Sequence, residues 1–398
     1  MQVTRLAAAA AVLALAGCGG GGESGSDSGA SNVRGVTDTE IILGSQTDLS
    51  GPAALLGVDL TNGARMAFDD ANAAGGIHGR QIRFVVEDSQ YQLPKAIQAT
   101  NKLVNRDNIF AMILGLGTPM NNATMQTLMD ANVPNVFPVT GSRTMTEPFR
   151  KKVFAARGIY YDEIRAGVKY FVEQRGAEKV CAIYQDSDYG IEILEGAQDQ
   201  LAAMGMELVA TSAHKPLDTD FTAAVLKLRN AGCEVVMMGT IYKDTMLTFQ
   251  AARKIGWDDV AFVGQNAAVS KAVAEADNNA ADGYYAFVHI AILYEDTEMT
   301  EEQRAWFDRY TELFGKQPDY ASIEGYRNGR LVVEALERAG PDLTVDAFVA
   351  AMESINNYSD LLGYRIDFAE DDHSGVSESI LMNVQDGRWV VLEESVTY

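Results

Sequence analysis

The stretch Gly115-Leu116-Gly117-Thr118-Pro119-Met120-Asn121-Asn122 decides how the chain is organised. It follows an apolar run at residues 109–114, which predicts a buried strand, and it leads into residues 123–132, which predict a helix. Where a glycine-rich turn joins a strand to a helix, backbone N–H groups point outward and the helix dipole favours negative charge. By itself the stretch is equally consistent with a ligand-binding turn and with an ordinary turn.

Strands and helices alternate on both sides of this turn. Between the strand-like runs, apolar residues recur with helical spacing. Further helical patterns follow at 303–314, 320–339 and 345–354, and the last segments, at 364–368, 379–384 and 389–392, are predicted to be β. This alternation, with nearly continuous apolar strands, predicts an α/β fold of two Rossmann-like lobes with parallel central sheets. The strand-like runs of the two series are 40–45, 81–87, 109–114 and 135–138, then 180–185, 206–213, 234–238 and 261–264.

Ligands of such sheets bind beyond the carboxyl ends of the strands. Three strand-end turns in each lobe therefore become candidates, and two lobes facing each other would form a cleft. The candidate turns are 49–52, 115–120, 139–142, 186–190, 239–242 and the turn at Asn266.

The N-terminus has the pattern of an export signal. Arg5 precedes a short apolar run at 6–15, and small residues then lead to Cys18. The pattern resembles the bacterial lipoprotein box, which implies removal of residues 1–17 and acylation of Cys18. Residues 18–36 are rich in Gly and Ser and predict a flexible tether. We therefore expect an exported lipoprotein, in the periplasm or on the outer face of the cytoplasmic membrane.

Charge and composition exclude some classes of protein. The formal net charge of −23 argues against nucleic acid as a partner, because phosphate binding needs a basic face. Cys181 and Cys233 each lie near the start of a strand-like run, and both a disulfide and two buried thiols are compatible with the sequence. No CxxC spacing indicates zinc.

Catalytic signatures are weak. Gly115 and Gly117 give half of a dinucleotide fingerprint, but Met120 stands where the third glycine belongs. The four histidines are scattered, without the spacing of a metal site or a catalytic triad. We expect no enzymatic activity, no cofactor and no metal.

The content and order of the turns carry a resemblance. The chain resembles the Leu/Ile/Val-binding type of periplasmic solute-binding proteins, which serve ABC importers, over residues 37–398. The resemblance implies a ligand cleft between lobes that a three-crossover hinge joins, with crossovers near Ala156, Tyr285 and Val376. It is carried by the segments 49–52, 62–64, 72–77, 186–190, 218–221, 325–326 and 338–340.

The resemblance also implies domains and partners. The N-terminal lobe is expected at 37–156 plus 286–376, and the C-terminal lobe at 157–285 plus 377–398. The expected partners are a small-molecule ligand, the ABC permease subunits and, through the lipid anchor, the membrane. A monomer is implied. The same module could instead deliver its ligand to a membrane receptor as a sensor.

Residues of the family's ligand shell are carried over by position. Gly117 and Thr118 match the turn that holds the ligand's carboxylate, and Leu56 matches a position that packs on the ligand. Tyr189 matches an aromatic residue that closes over it, while Tyr242 lies next to another such position, which here is Ile241. The turn after the fourth strand contributes Thr140, Gly141 and Ser142.

Asn266 departs from the amino-acid-binding pattern. Members that bind amino acids carry a Glu there, which pairs with the ligand's ammonium group. A neutral Asn leaves such a buried charge without a counter-charge. We therefore expect a carboxylic acid without an α-amino group, or an amide, rather than Leu, Ile or Val. An amino acid remains an alternative if another acid, such as Asp244, supplies the charge.

Overall fold

The computed structural model describes residues 33–397, so the predicted signal, Cys18 and most of the tether lie outside the described part. The first sheet has five parallel strands in the order β2-β1-β3-β4-β5, with helices α1–α3 in the connections. The elements are β1 Glu40–Thr47, α1 Ala54–Ala73, β2 Gln81–Asp88, α2 Leu93–Asn105, β3 Ala111–Ile113, α3 Thr118–Asp130, β4 Asn135–Val136 and β5 Val153–Phe154.

The second run of elements builds most of a second sheet. Each strand of the series β6–β9 is followed by a helix or a short 3₁₀ turn, as in the first series. The elements are α4 Tyr160–Arg175, β6 Val180–Gln185, α5 Asp188–Ala203, β7 Ala210–His214, α6 Thr222–Asn230, β8 Val235–Gly239, α7 Tyr242–Lys254, β9 Ala261–Gln265, α8 Lys271–Ala274 and β10 Tyr285–Val288.

The C-terminal part divides between the lobes. Helix α10 packs along α1 of the first lobe, while the last two strands extend the second sheet to the order β14-β13-β10-β9-β8-β6-β7. The remaining elements are α9 Glu301–Phe314, α10 Tyr320–Ala339, α11 Val345–Glu353, β11 Tyr358–Ser359, β12 Arg365–Ile366, β13 Ser379–Gln385 and β14 Arg388–Val396.

The predicted α/β fold with two parallel-dominated lobes is confirmed. Antiparallel pairing enters the second sheet only through β13 and β14, which cover the free edge of β10. Helix α3 begins at Thr118, five residues before the predicted start at 123, because Pro119 occupies its first turn and needs no hydrogen-bonded N–H there. Strands β5 and β10 were not predicted.

The connections between the lobes lie side by side. Ala155 donates its N–H to the His373 carbonyl and accepts from Gly375, which ties the connection after β5 to the connection before β13. Gly158 donates its N–H to Nδ1 of His289, which follows β10. Three segments thus meet at one place between the sheets. The division at 37–156, 157–285, 286–376 and 377–398 stays a prediction, and β10 lies in the second sheet up to Val288.

One disulfide lies in the second lobe. Cys181 on β6 and Cys233, just before β8, are joined with a Cα–Cα distance of 5.8 Å. Both cysteines are buried in the second lobe's apolar core, so the alternative of two free thiols does not hold. Among the described residues, no helix combines the length and hydropathy needed to cross a membrane.

Candidate functional site

A small, mainly apolar cavity lies where the carboxyl ends of strands from both sheets face each other. Its volume is about 20 Å³. That is room for about one water molecule, so a ligand can enter only if the lobes separate. The cavity is lined by Ala53, Leu56, Tyr91, Leu116, Gly117, Thr118, Val139, Tyr160, Tyr189, Ile241 and Ala267.

The turn at the start of α3 forms one wall. Gly117 is the N-cap residue with φ 100°, and a Cβ there would come within 2.8 Å of the Met120 sulfur. Only glycine takes this conformation without strain. The Asn121 side chain donates to the carbonyls of Gly115 and Gly117 at 2.8 and 2.9 Å and so fixes the turn. Thr118 lines the cavity at the positive end of the helix dipole, which suits a carboxylate or carbonyl oxygen.

The turn after β4 supports this wall from behind. The hydroxyls of Thr118 and Thr140 are 2.7 Å apart, and the Thr140 oxygen also accepts the N–H of Ser142. Gly141 accepts the N–H of Tyr160 at 2.8 Å, and a Cβ on Gly141 would lie 2.2 Å from the Gly158 carbonyl oxygen. The predicted residues Thr140, Gly141 and Ser142 do not line the cavity. Thr140 contacts Thr118, while Gly141 and Ser142 form hydrogen bonds with residues of the second lobe.

Tyr189 forms the opposite wall, as its position in the sequence predicts. Its hydroxyl donates to the Thr240 carbonyl at 2.9 Å and accepts from the Gln265 amide at 2.5 Å. Its ring meets that of Tyr160 edge to face, with centroids 5.2 Å apart. Burial raises the pKa of the Tyr189 phenol well above its usual value, so the group is a fixed, neutral part of the wall.

Leu56 and Tyr242 lie at the edge where α1 meets α7. Leu56 and Ile241 line the cavity, but Tyr242 does not. The Tyr242 hydroxyl accepts the N–H of Leu55 across the lobe interface at 3.2 Å. Burial raises the pKa of Tyr242 to about 12. Tyr242 is therefore a contact between the lobes and not part of the cavity wall.

Asn266 is fully buried and turned away from the cavity. Its amide nitrogen donates to a Glu163 carboxyl oxygen at 2.7 Å and to the Gly158 carbonyl at 3.0 Å, and its backbone N–H reaches the same carboxyl oxygen. The next residue, Ala267, lines the cavity instead. Burial raises the pKa of Glu163 to about 8, although the hydrogen bonds from Asn266 oppose the rise. Asn266 thus serves the connection between the lobes.

Polar contacts hold the mouth of the cleft closed. The Ser142 hydroxyl donates to a Glu192 oxygen at 3.0 Å, and Arg143 reaches Glu192 at 2.9 Å and Glu195 at 2.5 Å. The Arg143 guanidinium also lies 3.8 Å from the centroid of the Tyr161 ring. We call Ser142, Arg143, Glu192 and Glu195 the lobe clasp. It joins the first lobe to α5 of the second.

Apart from Leu56, four lining residues lie outside the predicted turns, namely Ala53, Tyr91, Tyr160 and Ala267. Tyr91 follows the carboxyl end of β2, and the strand-end rule applied to that strand would have indicated this loop. Gln90 and Tyr91 both have left-handed backbone, with φ of 52° and 53°, a strained conformation typical of functional loops. Tyr160 begins α4 directly after the first connection between lobes, where no strand end points to it.

The site has the composition of a binding cleft. Aromatic and aliphatic side chains surround one threonine hydroxyl and a helix N-terminus. Within residues 33–397, no group of three or more His, Cys, Asp or Glu residues could hold a metal ion. The arrangement can bind a small molecule that has an apolar body and a polar, negatively charged or carbonyl end.

Comparisons with known proteins agree with this fold. The model of the family described as periplasmic binding protein matches residues 40–388. The Leu/Ile/Val-binding protein homolog 7 of Brucella abortus is 24% identical over 367 residues, which cover 89% of this chain and 91% of that protein.

Two solved structures share the fold. A fatty acid ABC transporter substrate-binding protein from Thermomonospora curvata has a TM-score of 0.83 at 24% identity, covering 92% of this chain and 94% of that chain. An ABC transporter solute-binding protein of R. palustris in complex with benzoate has a TM-score of 0.79 at 18% identity, covering 90% and 97%. With the family model spanning most of its length, the chain belongs to the type I periplasmic binding proteins of ABC transporters.

Proposed function

We propose that this protein closes on a small organic carboxylate or amide without an α-amino group and delivers it to a membrane permease. The observation that carries the proposal is the cavity between the lobes, with Thr118 and the N-terminus of α3 at one wall and apolar side chains around the rest. The helix end would receive the carboxylate, and the rings of Tyr91, Tyr160 and Tyr189 would pack on the apolar body. The protein would bind its ligand without transforming it.

The absence of a counter-charge at Asn266 supports the choice of ligand class. Both of its amide hydrogens are engaged by Glu163 and the Gly158 carbonyl, so the side chain offers nothing to an ammonium group next to the carboxylate. Burying such a charge without a partner would cost roughly several kcal/mol, which is the effective penalty for moving one ion out of water into a protein interior. The names of two structural neighbours refer to a fatty acid and to benzoate, and both compounds are carboxylic acids without an α-amino group.

Location and assembly complete the proposal. An acylated Cys18 and the tether up to residue 36 would hold the protein at a membrane surface, near its permease, as a monomer.

Thermal shift and calorimetry with pentanoate, benzoate, butyramide and leucine test the ligand class. At 100 times its dissociation constant, a bound acid should stabilise the folded protein by about 2.7 kcal/mol. The Thr118→Val variant should bind the same acid about 10- to 100-fold more weakly, because it loses a hydrogen bond to a charged group. Thr124→Val is the matched control: this buried threonine of α3 donates to the Met120 carbonyl and lies outside the cavity wall.

Two results would contradict the proposal. A strong shift with leucine would overturn the argument from Asn266. Equal affinity of the Thr118→Val and wild-type proteins for the acid would remove the carboxylate from the N-terminus of α3.

A further inference from the structure

A second group of polar side chains lies at the carboxyl ends of the second lobe's strands, beside the cavity. Asp244, in the first turn of α7, is fully buried, and neither carboxylate oxygen has a hydrogen bond of good geometry from the described residues, although the Gln185 side chain and the Ile241 backbone lie close enough to lower its pKa. The Nε2 atoms of Gln185, at the end of β6, and of His214, at the end of β7, are also without such a hydrogen bond there. Gln185 and His214 lie side by side in the register of β6 and β7.

No Lys or Arg among the described residues forms an ion pair with Asp244, although the charge of the neighbouring Lys243 lowers its pKa. The Nδ1 atom of His214 lies 4.0 Å from the Asp244 carboxylate. Burial lowers the pKa of His214, so this ring is neutral. Its Nδ1 is 3.2 Å from the Lys215 carbonyl and donates to it, and a contact with the Gly239 backbone also opposes the effect of burial on the His214 pKa. Burial likewise raises the pKa of Asp244 to about 7, as expected for a buried acid without an ion pair to Lys or Arg.

Asp244, Gln185 and His214 do not line the cavity, but two of its lining tyrosines lie close to Asp244. Burial is the main cause of the raised pKa values of Tyr91 and Tyr189, and the charge of Asp244 adds to both. The Gln185 side chain lies close enough to Tyr91 and to Asp244 to lower the pKa of each. Tyr91 belongs to the first lobe, so the group lies at the lobe interface and not in the core of one lobe.

We propose that Asp244, with His214 and Gln185 beside it, forms a second pole of the cleft that binds a protonated amine at the end of the ligand remote from its carboxylate. The inference rests on the proposed function, which places the carboxylate at Thr118. A protonated amine carries three N–H donors, and the two buried Asp244 oxygens are acceptors without a hydrogen bond of good geometry. Buried polar atoms without partners are rare in folded proteins and call for such an explanation.

The proposal narrows the ligand class. The carboxylate at Thr118 and the amine at Asp244 would be separated by an apolar segment in contact with the tyrosine rings. The ligand would then be an ω-amino acid, and not an α-amino acid, which would place its charged groups on one carbon atom.

Calorimetry with matched acids tests this. The probes are pentanoate, 5-aminopentanoate and 2-aminopentanoate, which share five carbons and differ only in the amine, together with the four- and six-carbon ω-amino acids and their parent acids. The wild-type protein should prefer one ω-amino acid over its parent acid by at least roughly tenfold, the usual effect of a hydrogen bond to a charged group. In Asp244→Asn this preference should disappear while the parent acid still binds.

Asp59→Asn is the control variant. Asp59 is also a buried acid whose pKa is raised by burial, but Lys316 and the Tyr310 hydroxyl contact it. This variant should melt at a lower temperature than the wild type and keep the amine preference. Asp244→Asn should melt at the same or a higher temperature, because it removes an unpaired buried charge.

The outcomes separate the two proposals. Binding of parent acids without any preference for an ω-amine, or a preference that survives in Asp244→Asn, overturns the inference and leaves the proposed function standing. A lower melting temperature of Asp244→Asn than of wild type also counts against it, because the carboxylate would then have a structural partner. Failure of every acid and of butyramide to bind overturns the proposed function and the inference with it.

Discussion

Glu163 makes the connection between the lobes sensitive to pH, and the substitution Glu163→Gln tests this. The carboxyl is fully buried and accepts two hydrogen bonds from Asn266, at 2.7 and 3.2 Å. Burial raises its pKa from 4.5 to about 8. The carboxyl is therefore mostly protonated in the folded protein at neutral pH, whereas it is ionised in the unfolded chain.

The sign and size of the effect follow from these two pKa values. Between pH 4.5 and 8 the folded state holds a proton that the unfolded state releases. The free energy of unfolding therefore falls as the pH rises through this window, by up to about 1.4 kcal/mol per pH unit. Integrated between pH 6.0 and 8.5, the loss from this one group is about 2 to 3 kcal/mol, and it levels off above the folded pKa.

Urea unfolding at pH 6.0 and 8.5 measures the effect. Glutamine keeps the shape of the side chain and cannot ionise, so the stability of Glu163→Gln relative to wild type should increase by about 2 to 3 kcal/mol between the two pH values. Glu173→Gln, at an exposed position of the same helix α4, is the control for the change in net charge. An equal difference between Glu163→Gln and wild type at both pH values would refute the reasoning.

Two further predictions concern the cysteines. Replacing Cys181 and Cys233 together with Ala opens a loop of 52 residues, which should lower the free energy of unfolding by about 4 kcal/mol on the chain-entropy model. A reducing agent should then destabilise the wild type alone, and equal sensitivity of both proteins would argue against the disulfide. Replacing Cys18 with Ala should move the protein from the membrane fraction to the soluble fraction when cells are fractionated; unchanged membrane association would contradict lipidation.

The elements that were predicted well are those with strong, long-range patterns. Strand β6, Val180–Gln185, and helix α10, Tyr320–Ala339, have the predicted bounds, because their apolar spacing is continuous and their ends carry turn residues. Strand β7 was expected at 206–213 and lies at Ala210–His214. The apolar pattern begins before Ala210, but only residues 210–214 pair with β6. Strand β5 has two residues, too few for any period to appear.

The cleft was predicted in outline because strand ends in parallel sheets meet at one edge. Leu56, Gly117, Thr118 and Tyr189 do line one cavity. The position of Asn266 could not be read from the sequence, because its orientation depends on Glu163, which lies 103 residues away and gave no signal of its own. Whether these residues bind a ligand stays a prediction.

The residues of the lobe clasp differ from those of the cavity wall, so the residence time of a ligand and the preference among ligands depend on different residues. Arg143, Glu192 and Glu195 line the mouth of the cleft, whereas Thr118 and the tyrosines line the cavity. A bound molecule can leave only after the mouth opens, so contacts at the mouth add to the barrier for dissociation without touching the molecule. Residence time could therefore change through substitutions in the clasp while the preference among ligands stays constant.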